Sequence, residues 1–90
     1  MIIKVDRVLK IIEKNGEQHQ KYKAAEELAE MQTVILQEAN KECFVNKYPI
    51  IEEIADVYVM LKQLELIYKV DDRDIQEIID YKIARALREV

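Results

Sequence analysis

Apolar residues recur along most of the chain at the spacing of an α-helix. The pattern predicts four helices, over roughly residues 4–14, 17–43, 49–69 and 72–89. Asn15 and Gly16 fit the end of the first helix, because both tolerate positive φ. Pro49 fits the first turn of the third helix, where its missing N–H is not required. Asp71 and Asp72 supply an N-cap and a first-turn acid for the fourth.

The third predicted helix is apolar around nearly its whole circumference, from Ile50 to Ile67. A helix of this kind has to be surrounded by other elements. Three short neighbours in a chain of 90 residues can hardly cover it, since small domains bury a poor fraction of their surface. We therefore expect a partner chain against this helix, most simply a second copy of the same chain. The alternative is a monomeric four-helix bundle with an exposed apolar flank.

Length and composition favour a small all-α domain. The 90 residues suit a single domain, residues 1–90. Half of them are apolar, and there is only one glycine and one proline, which excludes a disordered chain and a turn-rich all-β sandwich. The net charge is −4 and no stretch is a basic stripe, so a nucleic acid is not an expected partner.

Two further features favour a reduced, cytoplasmic protein. The longest apolar run, Val57 to Leu61, is too short to span a membrane, and the first residues lack the layout of a signal peptide. The single cysteine, Cys43, cannot close an intrachain disulfide or anchor a thiolate metal site. Because no histidine lies near it in the sequence, we expect Cys43 to be a buried or interfacial small residue.

Two pairs of acidic residues are the main candidates for chemistry. Glu27 and Glu30 lie three residues apart on the second helix, and Glu53 and Asp56 do so on the third. Residues three apart project from one face of a helix. The turn between these two helices makes them antiparallel neighbours, so the two pairs can face each other across one groove.

Carboxylates that converge beside apolar residues repel one another, so that several must be protonated or a cation must sit among them. Carboxylate ligands without histidine or thiolate suit a hard ion such as Mg²⁺ or Mn²⁺, which also takes phosphate oxygens. Such a site supports metal-assisted phosphate chemistry. The alternative is a solvated acidic surface. A di-iron site needs two Glu-x-x-His motifs, and the only histidine, His19, is in neither.

The acids and their neighbours resemble a known family. Glu26-Glu27-x-x-Glu30, followed after 22 residues by Glu53-x-x-Asp56, is similar to the EExxE…ExxD signature of the MazG-like all-α nucleoside triphosphate pyrophosphatases. The flanking residues are similar to the short single-domain members of this family. Tyr81-Lys82-x-x-Arg85 resembles the family's final basic helix. The resemblance covers roughly residues 17–88.

The resemblance implies a four-helix MazG-like bundle completed by homo-oligomerisation, as a homodimer or homotetramer. It implies hydrolysis of a (deoxy)nucleoside triphosphate between the α- and β-phosphates, which yields the monophosphate and pyrophosphate. The four acids Glu27, Glu30, Glu53 and Asp56 would hold Mg²⁺, with Mn²⁺ as a substitute. Glu26, the doubled acid, would assist catalysis beside the ligands as a base, or would only face solvent.

Several other side chains are candidates for contact with the substrate, each with an ordinary structural alternative. Lys23 is suited to a phosphate contact or to an ion pair with Glu27 one turn away. Lys82 and Arg85 share one face of the last helix and can bind phosphate or complement the helix dipole.

Four more side chains are candidates for contact with the base. Gln20 and His19 precede the acids by about two turns; Gln20 can contact the base or lie at the surface. Tyr22 and Tyr58 can stack on a base, but the core is their expected place.

Two other functions are compatible with the sequence. Phosphoribosyl-ATP pyrophosphohydrolases belong to the same superfamily, but they usually carry a histidine where Val59 follows Tyr58 here. A non-catalytic helical oligomerisation or regulatory module would use the apolar third helix but would have no need of the four acids in one groove.

Overall fold

The computed structural model of the chain describes residues 1–41 and 46–89. These residues form four α-helices and no strand: α1 (Val5–Asn15), α2 (Glu17–Ala39), α3 (Tyr48–Ile67) and α4 (Asp72–Ala86). The predicted all-α architecture of four helices is therefore confirmed for this part of the chain. Cys43, expected to be buried or interfacial, lies outside the described residues.

The glycine, the proline and the aspartate that were predicted to begin or end helices do lie at helix boundaries. Gly16 separates α1 from α2 with φ of 90°, and its N–H donates to the carbonyl of Ile12 at 2.7 Å. Pro49 lies in the first turn of α3. Asp71 caps α4, because its carboxylate accepts a hydrogen bond of 2.8 Å from the backbone N–H of Arg73.

The C-terminal ends of α3 and α4 come two to three residues earlier than predicted. Lys69 (φ 55°) and Arg88 (φ 59°) adopt the left-handed conformation just beyond these ends. The N–H of Val70 then donates to the carbonyl of Glu65, which closes the end of α3 in the manner of a Schellman motif. Glycine usually occupies this left-handed position. Because neither helix end has a glycine there, the two ends could not be predicted from the sequence.

The predicted end of α2 was too late for a different reason. The helix ends at Ala39 rather than at residue 43, and Asn40 follows as its C-cap. Asparagine is a poor residue inside a helix because its side chain competes for backbone hydrogen bonds. Residues 42 and 43 of the predicted helix lie outside the described residues.

Helices α2 and α3 form the most extensive contact, and α1 packs against both. α2 and α3 are antiparallel, because Gln20 near the start of α2 contacts Gln63 near the end of α3. The apolar core lies where α1 meets the end of α3, and contains Val8, Ile12 and Ile67. The acidic residues of α2 and α3 lie toward the other end of this helix pair.

Helix α4 scarcely contacts the other helices, and none of its residues is buried. One of its side-chain contacts lies within the helix itself: the Arg85 guanidinium is 5.8 Å from the centre of the Tyr81 ring. The single chain therefore packs three helices, and the fourth helix of the predicted bundle stands apart from them.

Tyr22 and Tyr58 do not lie in the core, so that expectation was wrong for the single chain. Their exposed fractions are 64% and 40%. The α3 helix, expected to be surrounded, also exposes other large apolar side chains, Ile51 and Leu61 among them. Across residues 1–41 and 46–89, no helix has the length and hydropathy required to cross a membrane.

Candidate metal centre

The groove between α2 and α3 brings three of the predicted acids together. Glu27 and Glu30 from α2 and Glu53 from α3 each place one carboxylate oxygen within 4.8 Å of the other two. The spacing of three residues puts Glu27 and Glu30 on the same face of α2, and the antiparallel packing of α3 brings Glu53 opposite them.

The three carboxylates differ in their exposure to solvent. Glu27 is buried, Glu53 is half-buried and Glu30 is exposed. The Oε2 atoms of Glu27 and Glu53 are both buried, and neither has a hydrogen-bond partner among the described residues. Buried carboxylate oxygens normally accept hydrogen bonds or bind a cation, because burial without either costs free energy. Both of these oxygens belong to the cluster of three carboxylates.

The surroundings of Glu53 disfavour its charged form. Burial raises the pKa of the Glu53 carboxyl above its ordinary value, and the negative charges of Glu30, Asp56, Glu27 and Glu52 raise it further. A cation bound beside Glu53 would remove both causes, since it would replace the lost hydration and offset the repulsion. The electrostatics of the groove therefore favour a bound positive charge.

Lys23 supplies one positive charge at the edge of this cluster. Its Nζ lies 3.4 Å from Oε1 of Glu27 and 3.6 Å from Oε2 of Glu26. Hydrogen bonding to Glu27 and the charges of Glu27 and Glu26 raise the pKa of Lys23 above its usual value. The ion pair with Glu27, one of the two predicted roles of Lys23, is present. Glu26 itself is largely exposed and lies outside the group of three carboxylates.

Asp56 does not join the three carboxylates, although its charge acts on Glu53 one turn away. Its side chain is one methylene shorter than that of glutamate and is exposed to solvent. A role for Asp56 as a metal ligand remains a prediction, and it would require a rotation of the side chain toward the groove.

Gln20 lies inside the protein rather than along an open substrate groove. Its Nε2 donates a hydrogen bond of 2.6 Å to Oε1 of Gln63, and these residues are only 3% and 0% exposed. This placement does not favour the predicted contact of Gln20 with a base. His19 is exposed on the neighbouring position of α2.

Sequence reasoning did not single out Gln63, which has the most buried large side chain of the described residues. The spacing contained a usable signal, because Gln63 follows Asp56 by seven residues and so continues the same face of α3. Gln20 precedes Glu27 by seven residues in the same way. The amide pair therefore extends the polar row of the α2–α3 groove beyond the acids.

The predicted cations of α4 lie apart from the carboxylates. Within residues 1–41 and 46–89, no ion pair joins Lys82 or Arg85 to an acidic side chain. Arg85 lies over Tyr81, and Lys82 borders a shallow apolar groove with Val70 and Ile78. Because α4 hardly contacts α2 or α3, one chain by itself does not bring these cations to the groove.

The donor set fits a hard divalent cation in its chemistry. It consists of carboxylate oxygens, the ligands that Mg²⁺ and Mn²⁺ prefer. Oxygens on opposite sides of a Mg²⁺ ion lie about 4.2 Å apart, at roughly 2.1 Å from the metal each. The carboxylates of Glu27, Glu30 and Glu53, within 4.8 Å of one another, need only small side-chain rotations to reach that spacing.

In comparisons with known proteins, no family model, no curated protein and no solved structure matches the chain.

Proposed function

We propose that the chain is a Mg²⁺-dependent nucleoside triphosphate pyrophosphohydrolase of the MazG-like type. It would hydrolyse a (deoxy)nucleoside triphosphate with one water molecule to the monophosphate and pyrophosphate. The observation that carries the proposal is the cluster of Glu27, Glu30 and Glu53, in which two buried oxygens have no hydrogen-bond partner among the described residues. The resemblance of Glu26-Glu27-x-x-Glu30 and Glu53-x-x-Asp56 to the family signature supplies the reaction.

In this proposal, Glu27, Glu30 and Glu53 hold the cation and Asp56 joins them on binding. A Mg²⁺ ion there would neutralise the triphosphate and lower the pKa of a water molecule, with Mn²⁺ able to replace it. No side-chain nucleophile is needed. A bound cation would stabilise the ionised form of Glu53, because it offsets the repulsion that raises the pKa of this carboxyl.

The groups around the ligands have supporting roles in the proposal. Lys23 keeps Glu27 ionised and, with part of its side chain exposed, can turn toward a phosphate oxygen. Glu26 is exposed beside it and can accept a proton from water. We assign both to catalysis.

Lys82 and Arg85 would bind the phosphates only in an assembly that brings α4 to the groove of another copy, which favours a homodimer or homotetramer. The apolar side chains that the single chain leaves exposed on α3 and α4 support such an assembly. We propose that it acts in the cytoplasm.

Release of pyrophosphate from the eight common ribo- and deoxyribonucleoside triphosphates, with and without Mg²⁺, tests the proposal. We expect Mg²⁺-dependent release from at least one of them, and loss of at least 100-fold in the rate for Glu53→Gln. Glu17→Gln, the same change at an exposed position of α2, is the matched control and should retain full activity. Turnover that survives Glu53→Gln would place the active site elsewhere.

The same assay separates the alternatives. Activity confined to phosphoribosyl-ATP would indicate the related pyrophosphohydrolase. A folded chain that releases no pyrophosphate from any substrate, and whose melting temperature does not respond to Mg²⁺, would leave a helical oligomerisation module.

A further inference from the structure

The hydrogen bond between Gln20 and Gln63 joins the side chains of α2 and α3 inside the protein. The two atoms, Nε2 of Gln20 and Oε1 of Gln63, lie 2.6 Å apart, and both side chains are almost fully buried. The buried residues of α2 are Gln20, Ala24 and Glu27, so that an alanine is the only apolar one. A single methyl group gives two helices little to interlock, and apolar packing of α2 therefore contributes little to their axial alignment.

The amide pair and two of the clustered acids lie at matching positions of the antiparallel helices. Glu30 follows Gln20 by ten residues along α2, and Glu53 precedes Gln63 by ten residues along α3. In an antiparallel pair, residues that lie equally far from a matched pair are at the same height. The alignment that joins the two glutamines therefore brings Glu30 level with Glu53, in agreement with the meeting of their carboxylate oxygens within 4.8 Å.

The same alignment matches the other two acids of the predicted site. Glu27 follows Gln20 by seven residues, and Asp56 precedes Gln63 by seven. These two acids are thus level with each other, about 10 Å along the helices from the amide pair. The four acids occupy two successive layers of the α2–α3 groove, and the amide pair occupies a third layer in the same alignment.

A shift of one helical turn in either direction would break the amide pair. It would place Gln20 opposite Met60 or Ile67 instead of Gln63. Ile67 cannot form a hydrogen bond through its side chain, and the Met60 sulfur is a weak acceptor that already lies 3.9 Å from Nε2 of Gln63. Both amides would lose a strong partner while buried, which is unfavourable. The pair therefore selects one alignment, as a single polar residue selects the register of a coiled coil.

The acids oppose this alignment as long as no cation lies between them. Glu27, Glu30 and Glu53 place oxygens within 4.8 Å of one another, and ionised carboxylates at that distance repel. An axial shift of α2 along α3 would move Glu30 away from Glu53 and weaken the repulsion. In the metal-free protein, the hydrogen bond between the glutamines acts against that shift.

We infer that Gln20 and Gln63 are positioning residues for the metal centre: their hydrogen bond holds α2 and α3 in the alignment at which the acids of the two helices meet. The inference rests on the proposed metal-dependent function and adds to it two residues that lie in a separate layer from the acids. Because the pair acts before a cation binds, its loss should lower the affinity for metal and should not alter the site once it is occupied.

The double variant Gln20→Met/Gln63→Met tests this role, because methionine has the length of glutamine but cannot form the hydrogen bond. Replacement of both partners by apolar groups of similar shape changes stability little. We expect a helical protein with a nearly unchanged urea midpoint that binds Mn²⁺ roughly tenfold more weakly. Ile12→Val, which trims the core between α1 and α3, is the control. It should lower the stability and leave the affinity for Mn²⁺ unchanged.

A distance between two spin labels reports the alignment itself in the absence of metal. In a Cys43→Ser background, Gln18→Cys on α2 and Tyr48→Cys on α3 carry the labels, about 25 Å apart along the helix axes. Labelled chains are diluted with unlabelled ones, so that pulsed electron paramagnetic resonance measures distances within one chain. We expect one narrow distribution when the amide pair is intact. With both glutamines replaced by methionine, a second population should appear about 5 Å away, which is one helical turn.

Three outcomes would overturn the inference. An unchanged distance distribution in Gln20→Met/Gln63→Met would mean that the amide pair does not set the alignment. A changed distribution with unaltered affinity for Mn²⁺ would mean that the alignment does not matter to the metal. An equal loss of affinity in Ile12→Val would assign the effect to general stability. If the unaltered protein takes up no Mn²⁺, the proposed function fails, whereas the spin-label distances still decide whether the amide pair sets the alignment.

Discussion

Glu27 on α2 and Glu53 on α3 bring carboxylate oxygens within 4.8 Å of each other, and each keeps a second oxygen that is buried without a hydrogen-bond partner in the described chain. Two like charges in this position destabilise the fold unless a proton or a cation separates them. The proposed function rests on the second possibility, in which a bound cation offsets the two charges.

Glu53→Gln should stabilise the protein in the absence of metal at pH 7. The change removes a charge that burial and the neighbouring carboxylates disfavour, and the new amide can donate a hydrogen bond to Glu27. We expect the melting temperature to rise by a few degrees in EDTA. The variant should also lose the rise that Mg²⁺ produces in the unaltered protein. A lower melting temperature together with an intact Mg²⁺ effect would contradict the account.

The metal-free protein should lose stability as the pH rises through the raised pKa of Glu53. A carboxyl whose pKa is higher in the folded than in the unfolded state contributes stability below the ordinary value of 4.5, and this contribution disappears above the folded value. Mg²⁺ binds the ionised form, so its stabilising effect should be larger at pH 7.5 than at pH 5. Melting curves with and without Mg²⁺ at both pH values measure this difference. Glu53→Gln should show little of it.

Removal of one member of the Gln20–Gln63 pair should cost more than removal of both. Gln63→Leu leaves the amide of Gln20 buried without its partner, which costs about 1–3 kcal/mol of unfolding free energy. In the double variant Gln20→Leu/Gln63→Leu, neither amide remains, and we expect a stability within about 1 kcal/mol of the original. Urea denaturation of the two single variants and the double variant measures the coupling.

The double variant also tests the predicted contact of Gln20 with a base. Because Gln20 lies in the core, the KM of the preferred nucleotide should be unchanged in the double variant. A large increase in KM with an intact fold would restore Gln20 to the substrate site.

Lys23→Met should tighten the binding of Mg²⁺. The ammonium group lies 3.4 Å from a Glu27 oxygen and competes electrostatically with a cation in the groove. We expect a few-fold lower Kd for Mg²⁺ by titration, together with a lower kcat because the phosphate contact is lost. Lys21→Met, on the same helix, is the control. Weaker Mg²⁺ binding in Lys23→Met would mean that Lys23 is needed only to orient Glu27.

The boundary between α1 and α2 and the starts of α3 and α4 could be predicted from single residues. Gly16, Pro49 and Asp71 act there through local backbone chemistry. The ends at Lys69 and Arg88 depend on non-glycine residues in the left-handed conformation, which local sequence does not indicate.

The meeting of Glu27, Glu30 and Glu53 could be predicted from the spacing of the acids and the antiparallel packing of the two helices. The burial of individual side chains could not be predicted from spacing. Gln63 looks like a surface residue in the sequence and is fully buried, whereas Tyr22 and Tyr58 look like core residues and are exposed. Burial depends on which helices pack, and α4 does not pack on the others within one chain.

Titration with Mn²⁺, followed by the electron paramagnetic resonance signal of the free ion, is the decisive experiment for the metal site, since it needs neither the substrate nor the oligomer to be known. We expect the unaltered protein and Glu17→Gln to take up Mn²⁺, and Mg²⁺ to displace it. Glu27→Gln and Glu53→Gln should bind Mn²⁺ at least tenfold more weakly. No uptake by the unaltered protein, or equal uptake by all four, would contradict a metal centre between α2 and α3.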